Sequence, residues 1–215
     1  SSGQEAQIMS TGTVFGNKTW NRVGTEVTVT STSHGLTSND FVVIHTGNMG
    51  AKQDLENVVR TAGALASNSQ IKIYLVGHGN QEANLKMLCA GKSNIAVLPA
   101  VSDADYSALL AAADLLLVNE RSTQMEMSLP SKLTSYLYSE RPVIAAVPRG
   151  GATWKFLSGV AELVEAGDPN ALASKIELGS SSSNRLGLTF LGAADRAMPP
   201  LLPEDSREWL KSPKP

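Results

Sequence analysis

Cysteine is nearly missing from this chain of 215 residues: Cys89 stands alone, so no intramolecular disulfide can form. A single thiol suits a reducing compartment. An excess of one charge is missing as well. Eighteen Lys and Arg against 20 Asp and Glu leave a formal net charge of −2, and no long basic run appears, so no nucleic-acid partner is expected. No apolar run approaches the roughly 20 residues that carry a helix across a bilayer. The opening SSGQEAQIMS has no apolar core of an export signal. The expected location is cytoplasmic, with peripheral membrane contact left open. No compact cluster of His, Asp and Cys suggests a bound metal, and no internal repeat is visible.

What is present is alternation. Phe41–Thr46 reads as a buried strand. Asp54–Ala66 then places Leu55, Val58, Val59, Ala62 and Leu65 on one helix face. IKIYLVGHG is a second strand ending in Gly77 and Gly79, and Glu82–Ala90 a helix expected to bury Leu85 and Leu88. NIAVLP is a third strand stopped by Pro99, and Asp103 is the expected N-cap of a helix reaching Ala113. DLLLVNE is a fourth strand, followed by a helix over Pro130–Tyr138 with proline in its first turn. RPVIAAVP, a short helix over Thr153–Leu157, VAELVEA and the capped helix DPNALASKIE complete the series. Such alternation predicts an α/β fold: a Rossmann-like, doubly wound parallel sheet covered on both faces.

The ends read differently. TEVTVTSTS alternates Val with Thr and Ser, a strand or hairpin pattern. From Gly179 the chain has a serine run and then five prolines after Met198, which predicts an irregular tail. The expected organisation is a β-prone segment over 1–34, a Rossmann-like domain over 35–178 and a Ser/Pro-rich tail over 179–215.

In open parallel sheets ligands collect at the carboxyl ends of the strands, beside helix N-termini that attract anions. In FVVIHTGNMGAKQDL a buried strand turns through Gly47 and Gly50, with Lys52 just beyond. Glycine lets a ligand approach the backbone closely, and the lysine adds a full positive charge. On spacing alone, two turn glycines beside a surface lysine is an equal reading. VGHG puts His78 at a second strand end, where a solvated ring is the simpler role. SLPSKLTSYL starts a helix with Ser131 and Lys132 exposed, and a cation there opposes the helix dipole unless an anion offsets it.

HTGNMGAKQDLENVV, LVGHG, LLAAADLLLVNER, SLPSKLTSYL, RPVIAAV and GDPNALASKI occur in that order. Together they resemble the C-terminal, donor-binding half of GT-B retaining glycosyltransferases, of the type that builds bacterial polysaccharides. The resemblance implies a nucleotide-sugar as donor substrate and no cofactor. It implies that Gly47, Asn48, Gly50 and Lys52 face the donor diphosphate, with Gly77 and His78 beside them. Ser131, Lys132 and Leu133 would line the nucleotide and phosphates, and Glu120, in the loop reaching Ser128, would face the sugar. Lys52 and Lys132 would stabilise the charge of the departing diphosphate, and so act in catalysis.

The chain departs from that pattern in four places. Asn48 stands where many relatives have arginine, Ser135 where many have a ribose-gripping glutamate, and Glu140 where a small glycine precedes the RPV strand. The residues before the match are also too few for an acceptor-binding half. A donor-binding half that needs an acceptor-binding subunit or self-association is therefore expected, not competent alone. The alternative is a non-catalytic nucleotide- or phosphate-binding module. A nucleotide-sugar epimerase ranks last, because only His78, Glu120 and Glu126 offer acid–base groups.

Overall fold

The computed structural model describes residues 10–13, 19–23, 26–30, 40–123 and 129–181. Near the N-terminus, β1 (Ser10–Thr13), β2 (Thr19–Val23) and β3 (Glu26–Thr30) form an antiparallel sheet in sequence order. The strand expected in TEVTVTSTS is β3.

The main body starts at β4 (Phe41–Asn48) and continues with β5 (Ile71–His78), β6 (Ile95–Leu98), β7 (Leu115–Asn119), β8 (Val143–Val147) and β9 (Glu162–Glu165). These six strands lie in the order β6-β5-β4-β7-β8-β9, and every pairing is parallel. Between and after them run α1 (Leu55–Ala64), α2 (Glu82–Cys89), α3 (Asp103–Ala111), α4 (Lys132–Tyr138), α5 (Ala152–Leu157) and α6 (Pro169–Ser180). Parallel neighbours need crossovers, and the helices supply them while covering the sheet.

Each face has its own core. On one, Val58 and Ala62 of α1, Leu85 of α2 and Ile176 of α6 pack on Val43, Ile73, Leu75 and Leu117. On the other, Leu109 of α3, Leu133 and Tyr136 of α4 and Leu157 of α5 pack on Ile44, Leu116, Val118 and Ala145. The apolar periodicity of Leu55, Val58, Val59, Ala62 and Leu65 is fully buried as expected.

Some local expectations are corrected. The N-cap of α3 is Ser102, whose Oγ accepts from the Asp105 N–H at 3.3 Å, while Asp103 is the first helical residue. Leu88 is 40 % exposed, because only Leu85 and Cys89 of α2 turn inward. Pro130 precedes the α4 N-cap, Ser131, so it closes the loop rather than forming the first turn. The helix α6 includes Gly179 and Ser180, past the expected start of the tail, and its cap is Asp168, whose Oδ1 accepts from Asn170 N–H (3.1 Å) and Ala171 N–H (2.9 Å). A cap of this kind stabilises by about 1 kcal/mol. The tail beyond residue 181, the segment 124–128 with Glu126, and the boundary near Gly35 lie outside the described residues.

Because all six strands are parallel, their carboxyl ends share one edge. β4 and β5 pair in a register that sets Gly47 beside Gly77, so the two glycine turns stand together there. The strand order reverses between β4 and β7: α1 leaves β4 toward one face, and α4, following β7, covers the other. A reversal of this kind leaves a crevice at the carboxyl edge.

Candidate functional site

The edge is built from glycines whose backbone no other residue could easily follow. Gly47, Gly77 and Gly79 have φ of +102°, +151° and +158°. A Cβ at Gly77 would run into the Gly47 carbonyl, and one at Gly79 would lie 2.5 Å from the Met49 oxygen. The two turns are stitched by Met49 N–H to His78 O (2.8 Å) and Gln81 N–H to Met49 O (2.9 Å), with the Met49 side chain fully buried beneath. Gly50 is different. Its φ of −102° is ordinary, and its N–H donates to Gln53 Oε1 at 3.2 Å, closing the 3-10 turn Ala51–Gln53 that carries Lys52.

That turn is fixed from the other side of the crevice. Asn119, at the end of β7, donates from Nδ2 to the Gln53 (2.8 Å) and Asp54 (3.0 Å) carbonyls and accepts from Asn57 Nδ2 at 3.0 Å. Arg121 N–H donates to the Lys52 carbonyl at 2.9 Å. The Lys52 side chain is exposed on this anchored turn.

Lys132 enters the same crevice from α4. The residue is partly exposed, but its amine end is enclosed: Nζ lies 3.0 Å from His45 Nε2. The side chain lies over Gly47, where an added Cβ would be 3.6 Å from Cε and 3.7 Å from Nζ. His45 is fully buried in β4, and its Nδ1 lies 3.0 Å from the Leu117 carbonyl oxygen. That carbonyl can only accept, so Nδ1 carries the proton and Nε2 accepts from the lysine. Burial, and next the Lys132 charge, hold His45 well below its ordinary value of 6.5, against the pull of the Leu117 bond. Burial lowers Lys132 to about 7, while the Glu120 carboxylate pulls the other way. Glu120 itself accepts from Thr153 Oγ1 at 2.8 Å. The edge thus presents rigid backbone, an exposed lysine on an anchored turn, and a second amine whose charge is set by its surroundings.

Gly47, Asn48, Gly50, Lys52, Gly77, His78, Glu120 and Lys132 all stand at this edge. The Asn48 side chain is exposed between the turns, its Nδ2 3.1 Å from a Cβ built on Gly50. His78 is exposed, and its backbone oxygen rather than its ring is the structural contact. Ser131 is exposed and makes no side-chain cap bond. Lys132 is not the exposed residue that its place at a helix start suggests. Leu133 is 2 % exposed and packs in the core, so its side chain supports the site from below. Sequence reasoning passed over His45, Asn119 and Thr153. Their signal was faint: one histidine and one asparagine at the ends of otherwise apolar strands.

The fold and its glycine-lined edge define a Rossmann-like half of a GT-B architecture. The chain belongs to the glycosyl transferases group 1 family, whose model matches residues 40–178, and this stretch is the C-terminal, donor-binding domain. It is 35 % identical over 104 residues to a protein of Escherichia coli (strain K12) named as a colanic acid biosynthesis glycosyl transferase, WcaI; the alignment covers 47 % of this chain and 25 % of that protein. The matched part thus spans about a quarter of that relative's length. Among solved structures, the fold is similar to Anabaena Alr3699/HepE in complex with UDP and glucose, with a TM-score of 0.55 and 21 % identity over 69 % of this chain and 40 % of that one. It is also similar to the C-terminal domain of the Francisella tularensis group 1 glycosyl transferase LpcC, with a TM-score of 0.52 and 14 % identity, covering 67 % of this chain and 78 % of that one. No helix among the described residues is long and apolar enough to cross a membrane.

Proposed function

We propose that this domain binds a nucleotide-sugar by its diphosphate and presents the sugar for transfer to a polysaccharide or lipid-linked acceptor. The observation that carries the reading is the Lys132 amine lying over Gly47, at the edge where two glycine turns and the anchored Lys52 turn meet. The diphosphate would sit against the bare backbone of Gly47 and Gly77, with Lys52 and Lys132 as its cations. When the glycosidic bond to the donor breaks, negative charge grows on the leaving diphosphate, and fixed cations favour that transition state over the ground state. The acceptor oxygen would approach the anomeric carbon from the leaving-group face, giving its proton to the departing phosphate. HepE in complex with UDP-glucose supports uridine nucleotides as the first probes. The WcaI likeness supports a polysaccharide pathway. The reading includes a cytoplasmic location, which a single cysteine suits.

The acceptor's wall would come from a second domain, a partner subunit or another copy. The 215-residue chain assayed by itself is then expected to bind nucleotide but transfer sugar negligibly, since orienting the acceptor supplies about 7–11 kcal/mol of barrier lowering. Calorimetry against UDP, UDP-glucose and uridine tests the binding. UDP should bind, and Lys52→Ala should weaken UDP by roughly ten- to a hundredfold while leaving uridine little changed, because a charge-assisted contact is worth about 1.5–3 kcal/mol. Equal losses for both ligands would sink the phosphate role of Lys52. Following products by mass with sugar acceptors separates a transferase half, which shows slow donor hydrolysis, from a purely binding module, which shows none.

A further inference from the structure

We infer that His45 is a positioning residue for the anion site: from inside the sheet it accepts the hydrogen bond of the Lys132 amine and holds that amine over Gly47, where an arriving diphosphate claims it together with a proton taken from solvent. The inference rests on the diphosphate reading above and adds to it a residue and a proton.

The geometry begins with a gap in the sheet. The ladder between β4 and β7 pairs Val43 with Leu115 and Ile44 with Leu116, and goes no further. The next step would match His45 with Leu117. There the His45 ring takes over, with Nδ1–H donating to the Leu117 carbonyl at 3.0 Å. The imidazole thus wedges the crevice where the strand order reverses, and satisfies a carbonyl that the parting strands leave without its ladder bond. With Nδ1 committed as donor, Nε2 is left as an acceptor aimed at Lys132 Nζ, 3.0 Å away. A protonated ring would set donor against donor, so the contact requires a neutral histidine.

Among the described residues, the groups that face the amine are His45 from β4 and the Glu120 carboxylate just after β7, which Thr153 of α5 holds in place. Enclosure brings the amine to about 7, so near neutrality it is divided between charged and uncharged forms. An anion seated on Gly47 favours the ammonium. Binding above that pH therefore converts R–NH₂ to R–NH₃⁺, the proton coming from water or buffer, and His45 keeps its own proton on Nδ1 throughout.

Two measurements on the full chain test this. In the first, lysines are labelled with ¹³C at Cε, the Lys132 signal is identified by its loss in Lys132→Met, and its titration is followed by NMR. The midpoint should lie close to 7. It should fall by about one pH unit or more in His45→Leu, which removes the acceptor, and return toward the starting value in His45→Gln, whose Oε1 can accept. A midpoint near 10.5, or one unmoved by His45→Leu in a chain shown by circular dichroism to be folded, would overturn the inference. In the second, UDP is titrated calorimetrically at pH 8 in buffers of different ionisation enthalpy. Uptake approaching one proton is expected, absent in Lys132→Met, with affinity falling by up to about tenfold per pH unit between about 7 and 9. Buffer-independent heats with a flat affinity would overturn it even if His45→Leu does not fold. UDP that binds at no pH would instead overturn the proposed function, and the Lys132 titration would then decide the His45 contact by itself.

Discussion

At Gly77 the chain has no room for a side chain. A Cβ there meets the Gly47 carbonyl, and φ is +151°. Gly77→Ala is expected to lower stability by about 1–3 kcal/mol, read from urea unfolding, as overpacking against rigid backbone does. Gly50→Ala should cost far less, since its φ is ordinary and its neighbours are the flexible ends of Asn48 and Gln53. Equal costs would contradict the distinction between the two turns. His45 carries a pH consequence of known sign. Its pKa in the folded chain lies below the ordinary 6.5, so below that pH the unfolded chain binds more protons. Its contribution to stability is therefore lost as pH falls, by up to about 1.4 kcal/mol per pH unit. Lys132 acts on the alkaline side: the unfolded chain keeps this proton up to 10.5 and the folded chain releases it at about 7, so stability rises across that window. Thermal unfolding of the chain and of His45→Gln from pH 7 to 5 should show curves that diverge on acidification. Parallel curves would show that His45 is not held neutral.

Between elements, single hydroxyls and amides set how helices dock on the sheet. Tyr136 of α4 is fully buried, and its hydroxyl accepts from the Thr46 N–H of β4 at 2.8 Å. Tyr106 of α3 reaches the same Thr46 through Oγ1 at 3.0 Å. Tyr136→Phe would leave the Thr46 N–H buried without a partner, a loss of about 1–3 kcal/mol in unfolding free energy. The turn from α4 to β8 carries the opposite opportunity. Glu140 has φ +55°, in the left-handed region, at the place where the resemblance expects glycine. Left-handed backbone costs a side-chain-bearing residue roughly 1–2 kcal/mol. Glu140→Gly should therefore stabilise by about 1 kcal/mol, seen as a raised Tm, and a fall would show that the glutamate side chain makes a compensating contact.

At the scale of the molecule, ligand binding and stability are linked. If UDP binds the folded domain alone, UDP at about 100 times its Kd should add about 2.7 kcal/mol of stability, and uridine at the same concentration less. The doubly wound sheet was legible because strand segments such as Phe41–Ile44 and Leu115–Val118 are apolar throughout while the intervening helices repeat every three to four residues. Those periods are local, and they survive any detail of packing. The glycine turns were legible as corners for the same reason, since only glycine takes positive φ without penalty. Which of those glycines the fold requires was not legible, because Gly77 is forced by the Gly47 carbonyl of a neighbouring strand and Gly50 is not. Nor could spacing reveal that Lys132 would turn inward. Its partner His45 lies 87 residues away and is brought to it only by the reversal of strand order between β4 and β7. The sequence by itself determined the elements and the edge where a ligand could meet them, since both follow from local periodicity and turn chemistry. Only the tertiary structure decided which side chains share that edge and how they are charged, since enclosure and long-range contact set both.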